Sequence, residues 1–176
     1  MDEAKIENLV GALALALVDR LQADAQALAP EPGPAAAAVA LIGHAPGLSI
    51  ERLRRAVALS HSAAVRLVDR LVADGLVQRI TAANDRRAVA LRLTPLGETQ
   101  GAAILAARQG GLAEAMAALS PDERQQFGTL AEKLLRALVR TPDRAYRSCR
   151  LCNYRACVDC PVDDTLAQIA AAGGSA

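Results

Sequence analysis

The chain has 176 residues, enough for one domain with an appendage and a buried core. With 52% hydrophobic residues, 22% charged residues and a formal net charge of +1, it is unlike disordered or collagen-like sequences. Aromatic residues make up only 2%: Trp is absent and Phe127, Tyr146 and Tyr154 stand alone, which argues against a stacking platform for single-stranded nucleic acid or an aromatic sugar cleft.

In chain order, residues 3–27 read as an amphipathic helix with Ile6, Leu9, Val10, Leu13, Leu17 and Leu21 at three- and four-residue steps, closed by Glu31-Pro32-Gly33-Pro34. A short apolar helix is expected over Ala35 to Ile42. Pro46-Gly47 then turn the chain, and Ser49 is a good N-cap for a helix from Ile50 to about Val57. The next helix opens at Leu59-Ser60 and stops at Asp74-Gly75, with Val65, Val68, Leu71 and Val72 inward and Ser62, Arg66, Arg70 and Ala73 on the opposite face.

The period then changes to two. Leu76 to Thr81 and Ala88 to Leu93 are predicted strands, joined by the polar tip Ala82-Ala83-Asn84-Asp85-Arg86-Arg87. Thr94-Pro95 opens a long helix to about Leu119, and Ser120-Pro121-Asp122-Glu123 opens another to about Arg140. The expected fold class is therefore mainly α with a small β-hairpin wing, a winged helix-turn-helix between long N- and C-terminal helices. The longest uncharged apolar runs, Leu9 to Val18 and Ala35 to Ile42, fall short of the roughly 18 residues that cross a bilayer. With an acidic start at Met1-Asp2-Glu3, a cytoplasmic protein with no membrane partner is expected.

The even overall charge conceals an uneven distribution. Residues 1–49 carry two basic and six acidic side chains, whereas residues 50–92 carry nine arginines against Glu51, Asp69, Asp74 and Asp85. A cationic block on a helix-turn-helix with a wing is the footprint of double-stranded DNA binding. The second helix enters the major groove N-terminus first and the hairpin tip reaches backbone or minor groove. Arg52, Arg54 and Arg55 are phosphate candidates on charge alone.

Val65-Arg-Leu-Val-Asp-Arg-Leu-Val-Ala-Asp-Gly-Leu-Val-Gln-Arg79, then Asn84-Asp-Arg-Arg87, then Val89-Ala-Leu-Arg-Leu-Thr-Pro-Leu-Gly97 resembles the signature of the MarR (multiple antibiotic resistance regulator) family. The resemblance implies a homodimer on a palindromic operator, usually a repressor relieved by a small-molecule or redox effector. It divides the chain into an N-terminal dimerisation helix (1–34), a DNA-binding module (35–94), C-terminal dimerisation helices (95–141) and a tail (142–176). It places Ser62, Ala63, Arg66 and Arg70 against base edges and phosphates, with Ser60 and His61 near the start of that helix. Asp85, Arg86 and Arg87 match the wing tip, where the family uses an Asp to brace an Arg entering the minor groove. The competing reading of Arg66 and Arg70 is pairing with Asp69 and Asp74. His44 and His61 lie in different segments and no cysteine lies outside the tail, so neither a histidine-rich metal sensor nor a thiol switch within the core is expected.

The tail carries Cys149-x2-Cys152-x4-Cys157-x2-Cys160 followed by Pro161. Two closely spaced CxxC pairs can close a tetrahedral thiolate shell around Zn2+ or hold an iron-sulfur cluster, and in a reducing compartment metal ligation is favoured over a disulfide frame. Arg144, Arg147, Arg150 and Arg155 nearby favour thiolate. No phosphate-binding glycine loop, nucleophile and histidine pairing or catalytic carboxylate motif points to an enzyme. The function expected is a sequence-specific transcriptional regulator with the cysteine centre as sensor or clamp. The alternative is a redox or metal-handling protein on an inert winged-helix scaffold.

Overall fold

A computed structural model of the chain describes residues 2–82 and 85–173, with backbone alone for residues 82, 85–88, 172 and 173. The elements are α1 (Glu3–Gln26), α2 (Ala35–His44), β1 (Leu48–Ser49), α3 (Ile50–Ala56), α4 (His61–Ala73), β2 (Val77–Ala82), β3 (Asp85–Leu93), α5 (Pro95–Met116), α6 (Pro121–Leu138), α7 (Pro142–Ser148) and α8 (Pro161–Gly173). Side-chain oxygens cap most of these helices. Asp2 accepts from the Ala4 N–H at 3.3 Å, Ser49 from Arg52 at 3.2 Å, Ser60 from Ala63 at 3.2 Å and Thr94 from Gly97 at 3.1 Å. Ser120 and Glu123 form a reciprocal capping box at the head of α6, with Pro121 in its first turn.

α2 is the axis of the core. It is made of small and branched apolar residues, seven of its ten are buried, and Val39, Leu41 and Ile42 are fully enclosed. Leu53 and Ala56 of α3, Leu67, Val68 and Leu71 of α4, Val77, Leu91 and Leu93 of the sheet and Ile104 of α5 join the same cluster. The sheet is antiparallel in the order β1-β3-β2, pairing Leu48 with Leu91 and Val77 with Leu93. The two-residue strand β1 is too short for a periodicity to announce it. It turns the expected hairpin into three strands and ties the wing to the start of α3.

α1 crosses α5 where Gly111 leaves room for the Asp24 carboxylate; a Cβ there would lie 1.7 Å from Asp24 Oδ2. Arg20 fastens the crossing, donating to Asp24 at 2.9 Å and to Glu114 at 2.6 Å. The apolar stripe expected to bury α1 does so only in part. Ile6, Leu9, Val10 and Leu13 remain exposed, and Leu17 and Leu21 are half-buried. α6 has no buried residue, and its Leu130, Leu134 and Leu138 are 60%, 52% and 62% exposed.

The tail beyond α6 is ordered into α7 and α8, which enclose a second small core of Val139, Ala145 and Val162. Among the described residues no helix is long and apolar enough to cross a membrane.

The junction of wing and α5 admits only glycine at position 97. A Cβ there would sit 2.0 Å from the Leu76 carbonyl oxygen, which already accepts from the Thr94 N–H at 3.0 Å. Gly97→Ala is expected to lower unfolding stability by about 1–3 kcal/mol, the usual cost of overpacking, read from denaturant melts. A loss under a few tenths would show that the junction is loose.

Candidate nucleic-acid interface

The helix-turn-helix begins with α3, whose last turn ends at Ala58 in the left-handed conformation, φ 56°. The Leu59 N–H bonds back to the Arg54 carbonyl at 2.9 Å and sets the angle at which α4 departs. α4 is strongly amphipathic: Ala64, Leu67, Val68 and Leu71 are buried, while His61, Ser62, Asp69 and Arg70 are exposed and Ala63 is half-buried. Ser60 is occupied as the N-cap, and its Oγ also lies 3.3 Å from Ser62 Oγ. Arg66 stands on the exposed face with no ion-pair partner among the described residues.

Arg52, Arg54, Arg55, Arg70 and Arg79 of the cationic block have partners within the chain. Arg70 donates to Glu31 at 2.5 Å, across from the turn before α2, rather than to Asp69 or Asp74. Asp69 instead accepts from Arg79 of β2 at 2.6 Å. In α3, Glu51 accepts from Arg54 at 2.6 Å and from Arg55 at 2.9 Å; Arg55 also reaches Asp143 of α7 at 3.3 Å, and the Arg52 guanidinium lies 5.3 Å over the Tyr146 ring. The three α3 arginines are thus used to hold α3 together and to seat α7 on it. Asp85, Arg86 and Arg87 begin β3, where Asp85 pairs with Ala82 beside a bulge; their side chains, and Ala83 and Asn84, lie outside the described residues.

The cysteine segment forms the joint between α7 and α8. The Cys149 thiol donates to Cys152, and that bond, helped by burial, pushes Cys149 well up; the same bond, with the Arg108 guanidinium, brings Cys152 down to about 7 against the opposing effect of burial. Burial, with the charge of Cys160, lifts Cys157 to about 11. Cys149 feels Cys160 and Cys157 feels Cys152, so the two pairs neighbour each other. Among the described residues no three His, Cys, Asp or Glu side chains are already drawn to the spacing of a metal shell. The donor set nevertheless fits a soft cation. It is four thiols, and Arg108 of α5 brings a buried Nε without any hydrogen-bond acceptor close to Cys152, a positive charge suited to an anionic tetrathiolate centre.

Residues 32–88 match the family model described as the MarR family. A MarR family protein from Bacillus stearothermophilus is 29% identical, with 76% of this chain and 95% of that one aligned at a TM-score of 0.62. The apo form of MarR from E. coli is 26% identical over 71% of this chain and 96% of that chain, TM-score 0.57. Over residues 32–88 the chain is similar to the MarR family, and it shares the fold of these proteins. A third neighbour, a Mycobacterium tuberculosis MarR family protein in complex with p-aminosalicylic acid, shares the fold at 22% identity and TM-score 0.54, over 70% of this chain and 96% of that one.

The chain is longer than these neighbours, which are matched almost end to end while about a quarter of it is left over. A cavity of about 230 Å³ opens between α2, β3 and α5, with Val39, Ile42, Leu93 and Leu105 as its apolar lining and Arg92 and Glu98 at its edge. Its remaining side is Asn153, Tyr154 and Arg155, the residues between the two cysteine pairs. Neither this cavity nor the placement of Arg108 carries a local sequence signal: Gln109 and Asn153, which touch at 3.3 Å, are 44 residues apart.

The Glu51 carboxyl, held by Arg54 and then Arg55, is pushed down to about 2 from an ordinary 4.5. A carboxylate depressed in the folded state stabilises above its unfolded value, and that support fades as pH falls through the interval between the two. The melting temperature of the native chain is therefore expected to exceed that of Glu51→Gln at pH 6, with the gap closing as pH falls from about 4.5 towards 2. A gap independent of pH would remove the ion pairs as its cause.

Proposed function

We propose that the chain is a cytoplasmic, homodimeric and sequence-specific transcriptional repressor that binds a palindromic operator in double-stranded DNA. The observation that carries this reading is α4. Its apolar face is buried in the core against α3 and β2, and its outer face offers Ser62 and Arg66, the latter unpaired among the described residues, beside a wing whose sequence supplies Asp85, Arg86 and Arg87. Ser60 and His61 at the N-terminus of α4, with Ala63, complete the approach to base edges. Arg70, tied to Glu31, contacts backbone phosphate only by giving up that pair. The exposed leucines of α1 and α6 support the second copy as the partner, because a two-fold pair would cover both stripes and set the two α4 helices on successive turns of one face of the duplex.

Cys149, Cys152, Cys157 and Cys160 are proposed to bind Zn2+, with an iron-sulfur cluster as the alternative occupant. When bound, such a centre supplies a rigid cross-link, and in the cluster case an oxidisable group. The chain's own part is to gather the thiols between α7 and α8 and to offer Arg108 as counter-charge. The cavity, with apolar walls and with Arg92 and Arg155 outnumbering Glu98 among its charged lining residues, suits a small organic acid, and a protein of the same fold held p-aminosalicylic acid.

Selection from a random duplex pool is expected to return a palindrome. Against it, Arg66→Ala should bind about tenfold more weakly, and Arg87→Ala should flatten the dependence of log affinity on log salt by roughly one unit, the slope that a single neutralised phosphate contributes. Failure to select any sequence, with metal and without, would leave the redox or metal-handling reading standing.

Leu134→Glu should convert the dimer to a monomer in light scattering, and a native chain already monomeric would remove the operator geometry. Metal analysis of protein purified without oxygen should give one colourless zinc per chain; a brown protein would indicate iron-sulfur, and neither metal would overturn the cysteine assignment.

A further inference from the structure

The cavity and the cysteine quartet share a piece of backbone. Asn153, Tyr154 and Arg155 close one side of the cavity, and they are also the span that connects Cys152 to Cys157. This span is lightly held. Asn153 Nδ2 donates to Gln109 Oε1 at 3.3 Å, the Tyr154 ring lies 5.3 Å from His44 at a tilt of 45°, and a turn bond links the Ala156 N–H to the Asn153 carbonyl at 3.0 Å. Tyr154 is 37% exposed and Arg155, which rests 6.0 Å from the tyrosine ring, is exposed too, so neither side chain is locked into the core. The ends of the span are tied to the helices. The Cys152 N–H donates to the Cys149 carbonyl at 2.9 Å at the end of α7, and Cys157 lies three residues before Cys160, whose carbonyl accepts from the Asp164 N–H at 3.1 Å at the start of α8.

We propose that the residues between the two cysteine pairs are a movable wall of the cavity, so that binding of a small apolar carboxylate and the chemical state of the thiols are reciprocally linked. This rests on the reading of the cavity as a ligand site. A carboxylate drawn between Arg92 of β3 and Arg155 of the wall, its apolar body against Ile42, Leu93 and Leu105, bridges the two sides and holds the wall down. The wall in that position covers the approach to Cys152. Conversely, a bulky group on Cys152 lifts the wall, removes Arg155 from the rim and weakens the carboxylate. Linkage requires both effects to have the same factor, and coupling of this kind is commonly 5- to 150-fold, or about 1–3 kcal/mol.

Hexanoate is a suitable probe because it is spectroscopically silent, and hexanamide is its neutral control. In Tyr146→Phe the wall residue Tyr154 is the sole tyrosine in a chain without Trp, so its emission reports the wall directly. Hexanoate is expected to bind the dimer and alter Tyr154 emission, and hexanamide to do neither. Carbamidomethylation of the thiols should weaken hexanoate at least fivefold by calorimetry, and saturating hexanoate should slow carbamidomethylation of Cys152 severalfold, read by mass spectrometry. Arg155→Ala, which leaves the cysteines untouched, should weaken hexanoate as well and guards against damage to the tail by alkylation. Equal hexanoate affinity in the native, alkylated and Arg155→Ala proteins would overturn the wall while keeping the cavity as a ligand site. No hexanoate binding to the native dimer would overturn both, leaving the DNA-binding reading intact.

Discussion

The burial of α2 is the constraint on which the other elements depend. A helix of alanines with Val39, Leu41 and Ile42 at its centre has no polar face to present to water, so it is stable only when surrounded. α1 and α5 close it on one side and the helix-turn-helix and sheet on the other, which makes it the common wall between the long helices and the reading head. Small side chains let its neighbours approach closely, and the core lacks large aromatic residues, so the fit is set by branched aliphatics packed along most of the helix.

Much of this could be read from the residues, because the signals were local. Caps at Ser49, Ser60, Thr94 and Ser120 place helix starts within a residue or two of where they occur, and the change of period after Gly75 marks the strands. What could not be read was non-local. β1 is two residues long, α7 and α8 flank a cysteine segment that is the tail's most visible feature, and the partner of Arg70 is Glu31 in a turn rather than an acid on its own helix. Arginine counting treats every guanidinium as available, whereas Arg52, Arg54 and Arg55 are engaged by α3 itself and by the tail that leans against it.

The tail reaches three places at once. α7 lies on α3 of the reading head through Arg55 and Asp143, α8 lies on α6 through Arg136 and Asp164 at 3.0 Å, and the span between the cysteine pairs lies on α5 beside the cavity. Surface ion pairs of this kind are individually weak. Their position matters more than their strength, since the appendage spans from α3 of the helix-turn-helix to α6.

α6, finally, takes no side chain fully away from water within its own protomer. An eighteen-residue helix of that kind has little intrinsic reason to persist. A second copy on that face, as proposed above, would add to its order and make the heat resistance of the protein a function of how much of it is present: dilute solutions would melt early, concentrated ones late.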